Sequence, residues 1–116
     1  MKWIIAGGRD FDDYERLCAT ANRIIDPDDT VISGTAKGAD TLGEKYAAEH
    51  EPFGMRLVRR PADWKKHGKS AGHRRNHQMA LEADGLLAFW DGRSPGTKNM
   101  IEEAHKARLT THVVYY

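Results

Sequence analysis

Three short stretches bring glycine together with hydroxyl, cationic and carboxylate side chains: Gly7-Gly8-Arg9-Asp10-Phe11, Ser33-Gly34-Thr35-Ala36-Lys37-Gly38-Ala39-Asp40 and Asp91-Gly92-Arg93-Ser94-Pro95-Gly96-Thr97. That mixture suits a bound anion. Glycine lets the backbone approach a ligand closely. The first turn of a following helix offers unpaired N–H groups. Arg or Lys adds a charged donor. In the first stretch Gly7, Gly8, Arg9 and Asp10 are candidate ligand contacts, and the plain alternative is a tight turn with a solvated Arg. In the second, Ser33, Gly34, Thr35, Lys37 and Gly38 can cradle a phosphate, although the Gly-Lys-Ser/Thr order of a Walker A loop is missing. Asp40 can accept a hydrogen bond from a sugar hydroxyl, or act only as negative charge in a first helical turn. In the third, Asp91, Gly92, Ser94, Gly96 and Thr97 are candidates. Capping by Ser94 or Thr97 is compatible with ligand binding, since one helix N-terminus serves both.

A fourth group lies in Gly72-His73-Arg74-Arg75-Asn76-His77-Gln78-Met79. Arg75 and Met79 share a helix face at i, i+4, and Arg75 and Asn76 are candidate ligand contacts. His73 and His77 have the spacing of a zinc pair, but no neighbouring Cys or carboxylate completes a recognisable set, so no metal is expected. Trp64, in a basic stretch, is a candidate base-stacking residue. Trp90 ends an apolar run and fits the core equally well.

The elements that must position these residues alternate. Trp3-Ile4-Ile5-Ala6 reads as a strand buried on both faces, because its apolar run is continuous. A helix starting near Asp12 or Asp13 carries Tyr14, Leu17, Cys18, Ala21, Ile24 and Ile25 at helical spacing, and Asp26-Pro27 stops it. Thr30–Ser33 predicts a second strand and 39–50 a helix with Leu42, Tyr46 and Ala47 inward. Met55–Val58 predicts a third strand. Residues 62–70 read as a loop. Then follow a helix over about 71–83, a strand over 85–90, a helix over 97–108 with Met100, Ile101, Ala104 and Ala107 inward, and a strand over 111–115. This order predicts a Rossmann-like α/β three-layer sandwich with a five-stranded, mostly parallel sheet and helices on both faces. All the glycine-rich loops then lie at one sheet edge, where such folds bind ligands.

The chain has 116 residues, which fits one domain, and its 40% hydrophobic content supports a real core. A net charge of +1 argues against sequence-independent nucleic-acid binding. Cys18 is the only cysteine, which suits a reducing, cytoplasmic setting. The apolar N-terminal run is too short for a signal or a membrane span, so no membrane association is expected.

Taken together, the glycine-rich stretches with Pro61-Ala62-Asp63-Trp64, Ala71-Gly72, Arg75-Asn76-x-x-Met79 and Phe89-Trp90-Asp91-Gly92 resemble the SLOG superfamily, and within it the YspA/YpsA-related branch. The superfamily includes the Lonely Guy phosphoribohydrolases and the fold of DNA-processing protein A. The resemblance implies strand order 3-2-1-4-5 and a nucleotide or nucleotide-derived ligand, with no separate cofactor. It also implies a homodimer or higher homo-oligomer. One departure bears on catalysis. Where the Lonely Guy motif carries a hydrolytic Glu, this sequence has Met100, which cannot act as a general base. Whether the protein is an enzyme is therefore open at this stage. The first expectation is a nucleotide sensor or sequestering module. The alternatives are an N-glycosidic nucleotide hydrolase with a relocated carboxylate (Asp10, Asp40 or Asp91) and a single-stranded nucleic-acid binder using Lys65, Lys66, Lys69, Arg74 and Arg75 around Trp64.

Overall fold

The computed structural model describes residues 1–116. Five strands form one sheet: β1 (Lys2–Gly7), β2 (Thr30–Ser33), β3 (Arg56–Arg59), β4 (Gly85–Trp90) and β5 (Thr110–Tyr115). Every pairing is parallel and the order is β3-β2-β1-β4-β5. Parallel neighbours require crossovers, and helices supply them. These are α1 (Tyr14–Ile24), α2 (Ala39–His50), α3 (Trp64–His67), α4 (Ala71–Glu82) and α5 (Pro95–Lys106).

Alternation along the strands sorts side chains into two cores. Trp3 and Ile5 of β1 and Leu87 and Phe89 of β4 join Leu17 and Ala21 of α1 and Tyr46 and Ala47 of α2. Ile4 and Ala6 of β1 and Leu86 and Ala88 of β4 join Met79 and Ala80 of α4 and Met100, Ile101 and Ala104 of α5. Helices therefore cover both faces, and the central strands are buried almost throughout. This is the Rossmann-like arrangement, here with a fully parallel sheet. After β1 the chain crosses to the α1–α2 face, and after β4 it crosses to the α4–α5 face. The strand order reverses between those two strands, which opens a crevice above their C-terminal ends.

Three local differences from the sequence reading have physical causes. Residues 64–70 are not a plain loop. The Asp63 carboxylate accepts from the Lys66 amide at 3.1 Å and starts the one-turn helix α3, and a 3-10 turn at Gly68–Ser70 leads into α4. Helix α5 begins at Pro95, two residues earlier than its apolar periodicity indicates, because proline suits a first helical position. Leu42, expected inward on α2, is only half-buried, while Asp40 and Gly43 occupy the buried face.

Candidate functional site

The crevice holds a cavity of about 220 Å³. Its floor is the end of β1, at Ala6 and Gly7, with Met79 and Met100 beneath. Ala36 and Asp40 form one wall, and Ser94, Gly96 and Thr97 at the start of α5 form the opposite wall. Trp64, Lys69, His73, Arg75 and Asn76 close it from the α3–α4 side, and Arg9 reaches in from the first loop. Of the sequence candidates, then, Gly7, Arg9, Asp40, Trp64, Arg75, Asn76, Ser94, Gly96 and Thr97 converge on one space. Two more open hollows adjoin it, of about 400 and 460 Å³, and Arg9 lines all three. The Arg9 side chain makes no hydrogen bond and no ion pair.

The loops are locked together by backbone contacts. The Gly8 carbonyl accepts from the amides of Phe11 at 3.3 Å and Ala39 at 3.2 Å, which joins the first loop to the start of α2. Gly38 makes this approach feasible. Its φ is +78°, and a β-carbon there would lie 2.2 Å from the Gly8 oxygen. Gly34 serves a similar end, because the Arg75 guanidinium and the Asp40 carboxylate both press on its α-carbon. A β-carbon at Gly34 would lie 2.7 Å from Arg75 Nη1 and 2.8 Å from Asp40 Oδ2.

Arg75 and Asn76 bracket the site. Arg75 Nη1 donates to the carbonyl of Gly34 and, at 3.5 Å, to that of Arg60, and Nε donates to Asn76 Oδ1 at 3.0 Å. Nη2 has no partner within the chain. Asn76 Nδ2 donates to Asn99 Oδ1 at 2.9 Å and to the Gly96 carbonyl at 3.3 Å, tying α4 to the first turn of α5. Ser94 gives α5 no side-chain cap, so the amides of Gly96 and Thr97 are not consumed by it.

Asp40 is 5% exposed. Its Oδ2 accepts from the Ala36 amide at 3.2 Å, and the Gly7 amide also lies beside the carboxylate and favours its charged form. Asp40 lines the cavity. Burial pushes the carboxyl up to about 6, against the opposing pull of the Ala36 amide and the Arg75 charge. Burial also lowers Arg75 from the usual guanidinium value. The two charges do not form an ion pair.

The remaining candidates have other partners. Asp10 accepts from the Tyr116 hydroxyl at 2.5 Å. The Asp91 carboxylate turns back on its own loop, accepting from Ser94 N at 2.7 Å and Arg93 N at 2.8 Å, and those two amides hold it below the ordinary carboxylate range. Ser33 Oγ donates to Glu44 at 2.7 Å and accepts from the Thr35 amide at 3.0 Å, inside the protein. Lys37 and Gly38 line an outer hollow with Asp10, while Gly8 lines the other with Asp91. Thr35 and Gly92 adopt positive φ as turn residues. Trp90 belongs to the core and donates from Nε1 to the Ser94 carbonyl at 3.1 Å, which shapes the third loop.

Residues 1–67 match the YspA, cpYpsA-related SLOG family, more than half of the chain. The chain belongs to this SLOG family. A similar protein is the Gene 61 protein of Mycobacterium phage D29, 42% identical over 82 residues, which are 68% of this chain and 66% of the phage protein. No solved structure gives a significant match. The matched SLOG segment holds the first two glycine-rich loops and Trp64. The α4 and α5 walls of the crevice lie beyond it.

Sequence reasoning gave Lys69 only to the nucleic-acid alternative and did not name His73 as a ligand contact, yet both line this SLOG crevice. The His73/His77 pairing does not form as a unit, because His77 Nδ1 sits 2.9 Å from Glu103 Oε2. The available signal for His73 was helical phase: it lies one turn before Asn76, at i, i+3, itself an expected contact.

Proposed function

We propose that the crevice binds a phosphate-bearing nucleotide and holds it without Lonely Guy-type cleavage. One observation carries this reading: Arg9 and Lys69 line the same cavity as the uncapped amides at the start of α5. A helix N-terminus with converging cations is suited to a phosphate. SLOG membership points to a nucleotide-related role and supports the assignment. Trp64, 55% exposed at the rim, offers a stacking face for a base. Calorimetry and thermal shift with AMP, ADP-ribose, NAD and cyclic nucleotides test it. A saturable heat with at least one of them is expected, and uniform silence overturns the reading.

Holding rather than cutting rests on Met100, which is 1% exposed and packed into the lower core. Among the three carboxylates open to a hydrolytic role, Asp10 and Asp91 are engaged elsewhere and Asp40 alone lines the cavity. Chromatography of AMP after long incubation at high protein concentration reads this directly. Intact AMP is expected, and release of adenine would give Asp40 a hydrolytic role.

A second reading, single-stranded nucleic-acid binding, is favoured by charge placement. Residues 61–75 hold five Lys or Arg against Asp63, a net +4, which leaves −3 on the rest of a chain whose total is +1. Lys65, Lys66, Lys69 and Arg74 are exposed and have no carboxylate partner. A gel shift of a single-stranded oligonucleotide that weakens steeply with salt supports this reading; no shift at low salt removes it.

A further inference from the structure

Asp40 and Arg75 each keep hydrogen-bonding capacity unused on one wall of the crevice. The Asp40 carboxylate takes one full hydrogen bond, from Ala36, with the Gly7 amide beside it, and Arg75 Nη2 donates to nothing. A buried carboxylate is costly to keep charged, and here the neighbouring guanidinium does not form an ion pair with it. The guanidinium is instead occupied by two backbone carbonyls and Asn76. The free pair therefore faces whatever occupies the cavity.

We propose that the crevice selects ribonucleotides over 2′-deoxyribonucleotides, with the Asp40 carboxylate accepting a hydrogen bond from the ribose diol and Arg75 Nη2 donating to the same diol. This rests on the nucleotide reading above and adds the class of nucleotide. Ionised, Asp40 is acceptor-only, so it repels a phosphate and requires a donor. A hydroxyl both donates and accepts, matching a carboxylate beside a guanidinium. An exocyclic amine on a base donates only and leaves Nη2 unpaired.

The sheet supports this orientation. Asp40 follows β2 and the uncapped amides follow β4, with β1 between them. Adjacent strands lie about 4.8 Å apart, so the two walls are separated by roughly 10 Å before side chains reach inward. The ligand must carry its anion at one end and its hydroxyls at the other. Gly7, on the strand between, has no side chain to divide the space.

Several groups face Asp40. Glu44 shares its helix, Arg75 comes from α4, and the amides of Ala36 and Gly7 lie beside it. Arg9, Lys69 and His73 line the same cavity. A charge change on the ligand phosphate acts on both sugars alike and cancels in their ratio.

The test is calorimetric titration of AMP and 2′-deoxy-AMP into the wild-type protein at pH 7.5 and pH 5, and into Asp40→Asn at pH 7.5. The wild type is expected to prefer AMP by about tenfold or more at pH 7.5, the size of one hydrogen bond to a charged group. That preference should shrink at pH 5, where Asp40 is protonated. Asp40→Asn, confirmed folded by circular dichroism, should lose most of the preference between the two nucleotides. Equal binding of both nucleotides by the wild type sinks the inference and leaves the nucleotide reading intact. An unchanged preference in Asp40→Asn also sinks it. Binding of neither nucleotide removes both. The pH comparison uses only the wild type, so it stands if the variant does not fold.

Discussion

At the scale of single residues, Asp40 carries a cost to stability. Its carboxyl is raised from 3.8 to about 6, so the folded state holds a proton that the unfolded chain has already released across that interval. Stability from this group is therefore greatest below about pH 4, falls as pH rises towards 6, and stays reduced above it. Asp40→Asn removes the cost. We expect it to be more stable than wild type at pH 7.5 by up to about 3 kcal/mol, with the gain vanishing near pH 4. Urea denaturation at the two pH values measures this; a destabilised variant at pH 7.5 would contradict the account. Arg9 presents the opposite case. Its side chain makes no hydrogen bond or ion pair and lines all three hollows. Arg9→Ala should leave the melting temperature unchanged and weaken AMP binding about tenfold. A fall in melting temperature would reveal a structural role.

At the scale of elements, the site depends on two seams. One joins the first loop to α2 through the Gly8 carbonyl, and Gly38 must sit at φ +78° to allow it. Gly38→Ala imposes both a disfavoured backbone and a clash, so we expect a loss of about 1–3 kcal/mol together with loss of nucleotide binding. Thermal melts and titration of the same sample read the two effects. The other seam joins α4 to α5 through Asn76, which is 6% exposed. Asn76→Ala leaves Asn99 Oδ1 and the Gly96 carbonyl without this donor and frees the first turn of α5. A loss of about 1–3 kcal/mol and weaker phosphate binding should follow. Unaltered stability would show that water replaces the amide without cost.

At the scale of the whole molecule, charge is unevenly spread. The basic face around Trp64 is offset by a net negative remainder, so the total of +1 conceals a polar molecule. Association with a second copy, expected from the family resemblance, is read by light scattering. A dimer mass is expected, and a clean monomer contradicts it. No helix is long and apolar enough to cross a membrane.

The sequence by itself determined the order of strands and helices, because apolar periodicity and glycine breaks are local properties of the chain. That order alone puts the glycine-rich loops at one sheet edge. The resemblance to the Lonely Guy motif, in turn, implied Met100 in place of a hydrolytic carboxylate. Periodicity could not say which polar groups are spent and which are free, since their partners lie far along the chain. Asp10 is taken by Tyr116, 106 residues away, and Arg75 by Gly34, 41 residues away. Asp91 and Ser33 looked equally available in the sequence, yet one turns onto its own loop and the other pairs with Glu44. Only the tertiary structure left Asp40 buried at the wall of the cavity. Burial and hydrogen bonding there depend on α2, α4 and the second loop meeting around Gly34, a contact no local pattern records.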